Sequence, residues 1–234
     1  MFDRTFDPDQ SERKFLLDAR DALEVWGSVC KYLGSQQDSD QPALYVRTTY
    51  FDTPDFAYYR SARGAVAHRL RLREYATASR RDAAPVPSRD CYLELKQSAG
   101  GLRAKTRLRV RPDDVQEKLR QLSDAPLSAC VGSLYRRAAR TSRDGRLRVT
   151  LDDCILFCQP SSPGSPFEVD GATAIAAGPP FVLEVKRGDA SPHWLTSVLS
   201  RLPEAAEFSK FEAGMRAAAA RGLLARAPIH EVAL

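Results

Sequence analysis

The amino-acid sequence predicts an α+β fold, in which helices are added to an antiparallel sheet or barrel. Several short segments alternate polar and apolar residues with a period of two, which is typical of half-buried strands. These segments do not alternate regularly with helices, as the strands of a parallel α/β fold would. No tandem repeat or clear boundary divides the 234 residues, so we expect a single domain over residues 1–234.

In the first half of the chain, five segments predict strands. They are residues 12–17, 44–52, 66–75, 91–97 and 102–110. The clearest is 66–75, where leucine and arginine alternate strictly. Between the first two strands, apolar residues recur at helical spacing up to residue 33, and Asp18 precedes them with the short polar side chain that favours a helix N-cap.

The second half of the chain adds further elements. Residues 112–123 predict a helix with proline near its start, and residues 131–140 fit either a strand or a helix. Residues 141–145 carry a hairpin signal before the alternating strand at 146–152. After a long irregular stretch rich in proline, glycine, serine and alanine, the pattern predicts a strand at 181–187 and helices at 192–202 and 211–225.

The overall composition narrows the class of protein. Lysine and arginine number 35 against 30 acidic residues, which gives a net charge of +5. Hydrophobic residues make up 43% of the chain, a normal share for a globular protein, so global disorder is excluded. No stretch approaches the ~20 apolar residues of a membrane span, and the first residues do not resemble a secretory signal.

The cysteines and histidines show no metal-ligand spacing. The chain has five cysteines without a Cys-x-x-Cys pair and only three histidines, so a structural zinc site is not expected. Unpaired thiols suit a reducing compartment, and we expect a cytoplasmic location. The glycine-rich phosphate loop of P-loop nucleotide hydrolases is also missing from the sequence.

The basic residues of the strands are the strongest functional signal. Arg69, Arg71 and Arg73 share one strand face, and Leu70 and Leu72 share the other. Basic residues stand at the same kind of position in other strands: Lys14, Lys96, Arg103, Lys105, Arg107, Arg146, Arg148 and Lys186. In one arrangement of such a sheet the charged face is exposed to solvent and the leucines form the core. In the other the sheet curls so that the charges face inward and helices cover its apolar outer face.

A repeated Glu-x-Lys pattern favours the second alternative. It occurs at Glu12–Lys14, Glu94–Lys96 and Glu184–Lys186, with acid and lysine on one strand face each time. Hard divalent cations bind carboxylate oxygens, and phosphate oxygens bind lysine and arginine. An enclosed space with both groups suits a metal-bridged polyphosphate. The alternative is that each pair is a surface ion pair, worth roughly 0–1 kcal/mol.

Seven sequence blocks in order carry a family resemblance. They are residues 11–15, 50–55, 69–75, 93–96, 148–152, 182–186 and 208–211. Over about residues 11–215 the chain resembles the VTC domain, the polyphosphate polymerase domain of the vacuolar transporter chaperone, which is one of the triphosphate tunnel metalloenzymes alongside the CYTH phosphatases. The resemblance implies a closed antiparallel eight-stranded β-barrel, with helices packed outside, that binds triphosphate or polyphosphate together with Mn²⁺ or Mg²⁺.

The same resemblance, with the strand pattern, selects candidate site residues. As catalytic residues we predict Arg71, Arg73, Lys96 and Lys210. As substrate-binding residues we predict Lys14, Arg69, Lys105, Arg136, Arg148 and Lys186. As metal ligands we predict Glu184, Glu94 and Glu12. Two departures from the family pattern bear on the reaction: Glu207 replaces a basic residue of the polymerase, and Gln10 replaces one acid of the CYTH Glu-x-Glu-x-Lys motif.

The function predicted first is transfer of the terminal phosphate of a nucleoside triphosphate to a growing polyphosphate. Hydrolysis of tripolyphosphate in the same tunnel and binding of polyphosphate without turnover stay open as alternatives. Specific nucleic-acid binding is disfavoured, because the net charge is only +5 and the lysines stand next to acids. The resemblance also implies membrane or product-handling partners, because the family's polymerase works beside membrane subunits.

Overall fold

The computed structural model describes residues 3–6, 11–34, 43–62, 64, 66–79, 83–99, 102–123, 125–188 and 191–224. Two sequence signals fall outside it, namely Gln10 and the side chain of Arg103. Among the helices that are described, none has the length and apolar character needed to cross a membrane.

Ten strands and five helices are described. The strands are β1 Asp3–Phe6, β2 Ser11–Leu17, β3 Ala43–Asp52, β4 Val66–Ala78, β5 Val86–Ala99, β6 Leu102–Val110, β7 Ser128–Thr141, β8 Leu147–Cys158, β9 Ala174–Ala177 and β10 Phe181–Arg187. The helices are α1 Ala19–Leu33, α2 Ala57–Arg60, α3 Val115–Leu122, α4 His193–Leu199 and α5 Lys210–Ala220, and a 3₁₀ turn precedes α3. The segment 131–140, which fitted either a strand or a helix, is therefore a strand.

The strands form one antiparallel sheet in the order β1-β6-β5-β4-β3-β7-β8-β10-β2, with β9 paired to β8. Within the described residues β1 pairs only with β6, and β2 has no strand partner other than β10. The other edge of β2 is covered instead, because Phe15 forms a bridge with Glu204 and the Ala205 amide donates to the Lys14 carbonyl at 2.7 Å. The prediction of a closed eight-stranded barrel is therefore wrong: the sheet is open and curled.

The outer face of the central strands is apolar, as the alternation predicts. Leu70, Leu72 and Leu93 are buried there with Val115 and Leu119 of α3. Arginine side chains on the same strands consequently lie on the opposite face. The helix that covers this part of the sheet is α3.

Helices α1 and α4 also pack on the outer face, as predicted. Phe15 and Leu183 are fully buried against Val25 of α1 and Leu195 of α4. The Asp18 carboxylate accepts a hydrogen bond from the Asp21 amide at 2.8 Å, which confirms Asp18 as the N-cap of α1.

Helix α5, in contrast, lies on the inner face of the sheet. Tyr50 pairs in register with Arg71 and so shares its face, and the Tyr50 ring lies 5.0 Å from the Phe211 ring of α5. A Cβ at Gly214 would meet side-chain atoms of Val131 and Phe157 at 3.1 Å, so glycine permits the close approach. The prediction that residues 211–225 pack outside the sheet is therefore wrong.

The irregular stretch after β8 is fixed to the outer face by a buried ion pair. Arg47 donates two hydrogen bonds of 2.8 Å to the Glu74 carboxylate. The same guanidinium also donates to the Ser165 hydroxyl and the Pro166 carbonyl. This segment is consequently anchored away from the inner face.

Candidate functional site

The curled sheet encloses an inner cavity of about 190 Å³ on its inner face. Strands β2 to β8, strand β10 and the start of α5 all contribute to its lining. The basic residues in the lining are Lys14, Arg69, Arg71, Arg73, Lys96, Lys105, Arg107, Arg137, Arg148, Lys186 and Lys210. The acidic residues in the lining are Glu12 and Glu184. The cavity is thus a strongly cationic space.

An outer cavity of about 760 Å³ continues from the inner one. The two cavities share lining residues, among them Lys14, Lys96 and Arg148. The outer cavity is also lined by Glu207 and Glu212, which do not line the inner cavity.

On one side of the site, four basic residues surround one carboxylate. We call this group the basic cluster: Glu94 with Arg71, Arg73, Lys105 and Arg107. Arg71 and Arg107 are the direct cross-strand neighbours of Glu94 on β4 and β6. Arg71 donates two hydrogen bonds of 2.9 and 2.6 Å to Glu94 Oε2. The Lys105 ammonium lies 3.1 Å, and Arg107 Nε 3.5 Å, from Oε1.

The Glu94 carboxylate is ionised and completely buried. Its side chain is 0% exposed, and burial by itself raises its pKa. Arg71, Arg73 and Lys105 oppose this and hold the pKa far below its usual range. Some hydrogen-bond donors of these cations have no acceptor. The buried Nε atoms of Arg73 and Arg107 make no hydrogen bond with any described residue.

A second group on β2 and β10 balances two carboxylates with two lysines. We call it the carboxylate cluster: Glu12, Lys14, Glu184 and Lys186. Lys186 lies 3.2 Å from Glu184 and 3.4 Å from Glu12, and Lys14 lies 3.0 Å from Glu12. Both carboxylates therefore meet at one ammonium group.

The pKa values of these two carboxyls reflect the same arrangement. Burial and the nearby Glu184 carboxylate raise the pKa of Glu12, yet Lys186 and Lys14 bring it below its usual range. Burial likewise raises the pKa of Glu184, but Lys186 and Arg137 hold it far below its usual range. Both groups are therefore carboxylates at neutral pH.

Lys96 lies between the two clusters. Its cross-strand neighbours are Arg69 and Lys105, so its own strand neighbourhood is cationic. No hydrogen bond or ion pair reaches its ammonium from any described residue. Arg71, burial and Lys186 together lower the pKa of Lys96 well below its ordinary value of 10.5.

A third cluster joins β7, β8 and α5. Arg137 donates two hydrogen bonds of 2.6 and 2.7 Å to the buried Asp152 carboxylate. Lys210 donates to the same carboxylate at 2.7 Å, and its ammonium lies 4.7 Å from the centre of the Tyr135 ring. The Tyr135 hydroxyl accepts a hydrogen bond from Arg73 at 3.5 Å. Asp152 thus fixes two cations that line the inner cavity.

The structure brings most of the predicted site residues together. Around the inner cavity lie Glu12, Lys14, Arg69, Arg71, Arg73, Lys96, Lys105, Arg148, Glu184, Lys186 and Lys210. Arg69 also approaches Glu212 of α5 at 3.9 Å. Glu94 does not line the cavity and instead lies behind the cations that do.

Arg136 is placed on the opposite face of the sheet, so its selection as a substrate-binding residue needs correction. It forms two hydrogen bonds of 2.8 and 2.7 Å with Asp153, outside the inner cavity. Arg137 points into the cavity in its place. Alternation from Tyr135 places Arg137, and not Arg136, on the inner face, and none of the seven sequence blocks covers either arginine.

The described residues offer two carboxylates for a divalent cation. They contain no group of three or more histidine, cysteine, aspartate or glutamate side chains that could hold a metal. Glu12 and Glu184, both at the Lys186 ammonium, are the pair that remains. Mg²⁺ is commonly bound by one or two carboxylates plus phosphate oxygens of the substrate, so this pair fits a metal that arrives with a phosphate ligand.

Comparison with known proteins gives a family match over most of the chain. The sequence model of the VTC domain matches residues 9–125 and 117–219. This match confirms the resemblance drawn from the seven sequence blocks. Among curated protein sequences, none matches the chain.

Several solved structures resemble the chain at low identity. The PH1819 protein from Pyrococcus horikoshii OT3 is 12% identical with a TM-score of 0.44, and the similarity covers 82% of this chain and 85% of that one. A candidate adenylate cyclase from Bacillus halodurans is 16% identical with a TM-score of 0.44, covering 82% and 88%. HpAC1 from Hippeastrum, described as having a dominant triphosphatase activity, is 14% identical with a TM-score of 0.43, covering 88% and 94%. At such scores these similarities carry no inference about function.

Proposed function

This chain belongs to the VTC domain family, and from that premise we propose that its inner cavity binds a triphosphate with a divalent cation and transfers a phosphoryl group. The donor is a nucleoside triphosphate, and the acceptor is the end of a growing polyphosphate. Mn²⁺ or Mg²⁺ is the proposed cofactor.

One observation carries this proposal: the imbalance of charge around the inner cavity. Basic side chains from β2, β4 to β8, β10 and α5 converge there, against Glu12 and Glu184 as the acidic lining residues. Like charges at such short range destabilise an empty cavity. A multivalent anion removes this repulsion, and phosphate oxygens accept the charge-assisted hydrogen bonds that lysine and arginine offer. A linear triphosphate is therefore the ligand class that best fits the site.

The carboxylate cluster supplies the complementary half of the site. Glu184 and Glu12 would hold the divalent cation, which neutralises charge on the phosphate oxygens when it is bound. Lys14 and Lys186, within ion-pair distance of Glu12, would contact the same phosphate group. Phosphoryl transfer depends mainly on positioning and on charge stabilisation, and both are built into these side chains.

The Asp152 cluster would orient the reacting end of the substrate. Because Asp152 fixes Arg137 and Lys210 by three short hydrogen bonds, their remaining N–H groups have defined directions. Such preorganised donors stabilise charge that develops during the reaction without a reorganisation step. We assign this role to Arg137 and Lys210, and we propose Arg71, Arg73 and Lys96 as further catalytic residues that line the same cavity.

A second candidate reaction is hydrolysis of the triphosphate with water as acceptor. It is favoured by Glu207 and Glu212, which add negative charge to the outer cavity beside its basic residues. Their charge weakens the attraction for a polyphosphate chain there but does not affect water.

Incubation of the protein with ATP and Mn²⁺ tests the proposal. Long polyphosphate on a gel, absent when Glu184→Gln replaces the wild type, is the expected result. Release of orthophosphate from tripolyphosphate, without chain growth, would assign the hydrolase. Tight binding of tripolyphosphate with no turnover in either assay would leave a binding module, and no binding at all would overturn the proposal.

A further inference from the structure

We propose that Glu94 is a positioning residue that orients the four cations of the basic cluster and limits how tightly they hold phosphate. Its sequence pattern predicts a metal ligand instead. The inference rests on the proposed function, because it concerns how the same cavity binds a triphosphate.

The position of Glu94 separates it from the other two predicted metal ligands. Glu12 and Glu184 line the inner cavity, whereas Glu94 lies behind Arg71, Arg73, Lys105 and Arg107, which do. A metal ion at Glu94 would have to enter a buried space already occupied by these four cations. Coulomb repulsion at such distances excludes it.

The register of the sheet explains why this carboxylate collects so many partners. Glu94 stands on β5 directly between Arg71 of β4 and Arg107 of β6. Arg73 and Lys105 are the next residues on the same face of those strands, and they lie 4.0 and 3.1 Å from the carboxylate. Direct and diagonal cross-strand neighbours are the pairs that interact on one sheet face. One buried anion thereby fixes cations on two strands.

Glu94 uses only part of the hydrogen-bonding capacity of these cations. The buried Nε groups of Arg73 and Arg107 make no hydrogen bond within the described part of the chain. Both guanidinium groups line the inner cavity, where the oxygen atoms of a bound phosphate would accept hydrogen bonds from their terminal N–H groups.

The negative charge of Glu94 also opposes the ligand that its partners attract. Glu94→Gln keeps the size of the side chain and an acceptor oxygen for Arg71, but it removes the charge. Tripolyphosphate should then bind about tenfold more tightly, because a nearby like charge is lost. Its slower release should lower kcat and KM together.

Calorimetric titration of tripolyphosphate without metal, and of Mn²⁺ with saturating tripolyphosphate, tests this inference. We expect Glu94→Gln to tighten tripolyphosphate binding and to leave the Mn²⁺ affinity unchanged, whereas Glu184→Gln lowers the Mn²⁺ affinity. Loss of Mn²⁺ affinity in Glu94→Gln would make Glu94 a metal ligand. If Glu94→Gln binds tripolyphosphate no more tightly than the wild type and melts at a lower temperature, Glu94 has only a structural role.

A second variant covers the case in which Glu94→Gln does not fold. Glu94→Asp keeps the charge but withdraws the carboxylate from its partners, so tripolyphosphate should bind more weakly while the Mn²⁺ affinity stays unchanged. A fall in Mn²⁺ affinity in this variant would again contradict the inference. If the wild type itself binds no tripolyphosphate, the proposed function fails, and that outcome differs from failure of the variants alone.

Discussion

In the basic cluster one carboxylate meets four cations, whereas in the carboxylate cluster two carboxylates meet two lysines. Each cluster contains a glutamate of the Glu-x-Lys pattern, so the pattern itself does not explain the difference. In the carboxylate cluster each lysine lies within 3.4 Å of a glutamate of the cluster. In the basic cluster the lysine that follows Glu94, Lys96, is not the group that pairs with it.

The neighbouring strands account for this difference. Strands β2 and β10 carry the same pattern side by side, and the register sets Glu184 opposite Lys14 and Lys186 opposite Glu12. Strand β5 instead lies between two strands whose cavity-facing residues are basic, so Glu94 stands between Arg71 and Arg107. The same local pattern therefore forms a charge-balanced site on β2 and β10 and a strongly cationic site around β5, because its cross-strand neighbours differ.

The comparison assigns a different ligand to each of the two clusters. The basic cluster has surplus cationic donors and therefore suits phosphate oxygens. The carboxylate cluster has oxygen ligands with matched charge and therefore suits a divalent cation. Variants in one cluster should consequently affect the triphosphate, and variants in the other should affect the metal.

The largest expected effect is loss of triphosphate binding from the basic cluster. Replacing Arg71 and Arg73 together by alanine removes two charged donors, each worth ~1.5–3 kcal/mol. We expect tripolyphosphate affinity to fall by at least about 100-fold in calorimetry. Leu70 and Leu72 keep their packing on the outer face, but the melting temperature should fall, because the buried Glu94 carboxylate loses two of its cations.

Arg136→Ala is the matched control for this double variant. It removes an arginine from the same sheet, but one that pairs with Asp153 on the opposite face. Its tripolyphosphate affinity should equal that of the wild type. A comparable loss in Arg136→Ala would show that overall charge, rather than the basic cluster, determines binding.

A smaller effect is expected from the carboxylate cluster. Glu184→Gln removes one of two proposed metal ligands. We expect Mn²⁺ affinity in the presence of tripolyphosphate to fall at least about 10-fold, because loss of a group that only supports a metal ligand already costs about 10- to 100-fold. Binding of tripolyphosphate without metal should not weaken. Mn²⁺ titration followed by electron paramagnetic resonance measures the first quantity.

Glu204→Gln provides the control for the metal experiment. Glu204 is a surface carboxylate that pairs with Arg13 and does not line either cavity. Its removal should leave the Mn²⁺ affinity unchanged. Equal loss in both variants would contradict the division between the two clusters.

The period-two alternation was sufficient to predict that the arginines of β4 share one face and its leucines the other. Arg69, Arg71 and Arg73 line the inner cavity, and the leucines between them are buried outside. The prediction succeeds because side-chain direction in a strand depends only on position along the strand. The contacts Lys14–Glu12 and Lys186–Glu184 are ion pairs, which the sequence left open as the alternative to a metal and phosphate site.

Features that depend on distant parts of the chain could not be predicted in this way. Closure of the sheet was expected, but the edge of β2 is covered by residues 204–205. The face on which α5 packs depends on Gly214, whose lack of a side chain admits Val131 and Phe157.

The Arg136 error arose because nothing in the sequence of β7 shows which of two adjacent arginines faces inward. Arg136 and Arg137 lie on opposite faces of the strand, so only one of them can line the inner cavity. Tyr135 and Arg137 line it.

The smallest expected effect concerns Lys96, which belongs to neither cluster. Its pKa is lowered by Arg71, by burial and by Lys186, so the folded protein binds the proton of Lys96 less tightly than the unfolded chain does. This difference lowers the free energy of unfolding by its full amount at any pH below the pKa of Lys96 in the folded protein. The loss shrinks as the pH rises towards 10.5 and vanishes above it. Lys96→Met should therefore raise the melting temperature of the ligand-free protein by a few degrees at neutral pH, and this gain should disappear as the pH approaches 10.5. With tripolyphosphate bound, the wild type should melt at a higher temperature than Lys96→Met. The anion raises the pKa of Lys96, so binding should be accompanied by proton uptake. Calorimetry in buffers of different ionisation enthalpy measures this uptake. If the wild type and Lys96→Met have equal melting curves at every pH and equal proton uptake, the neighbouring cations do not destabilise the charged form of Lys96.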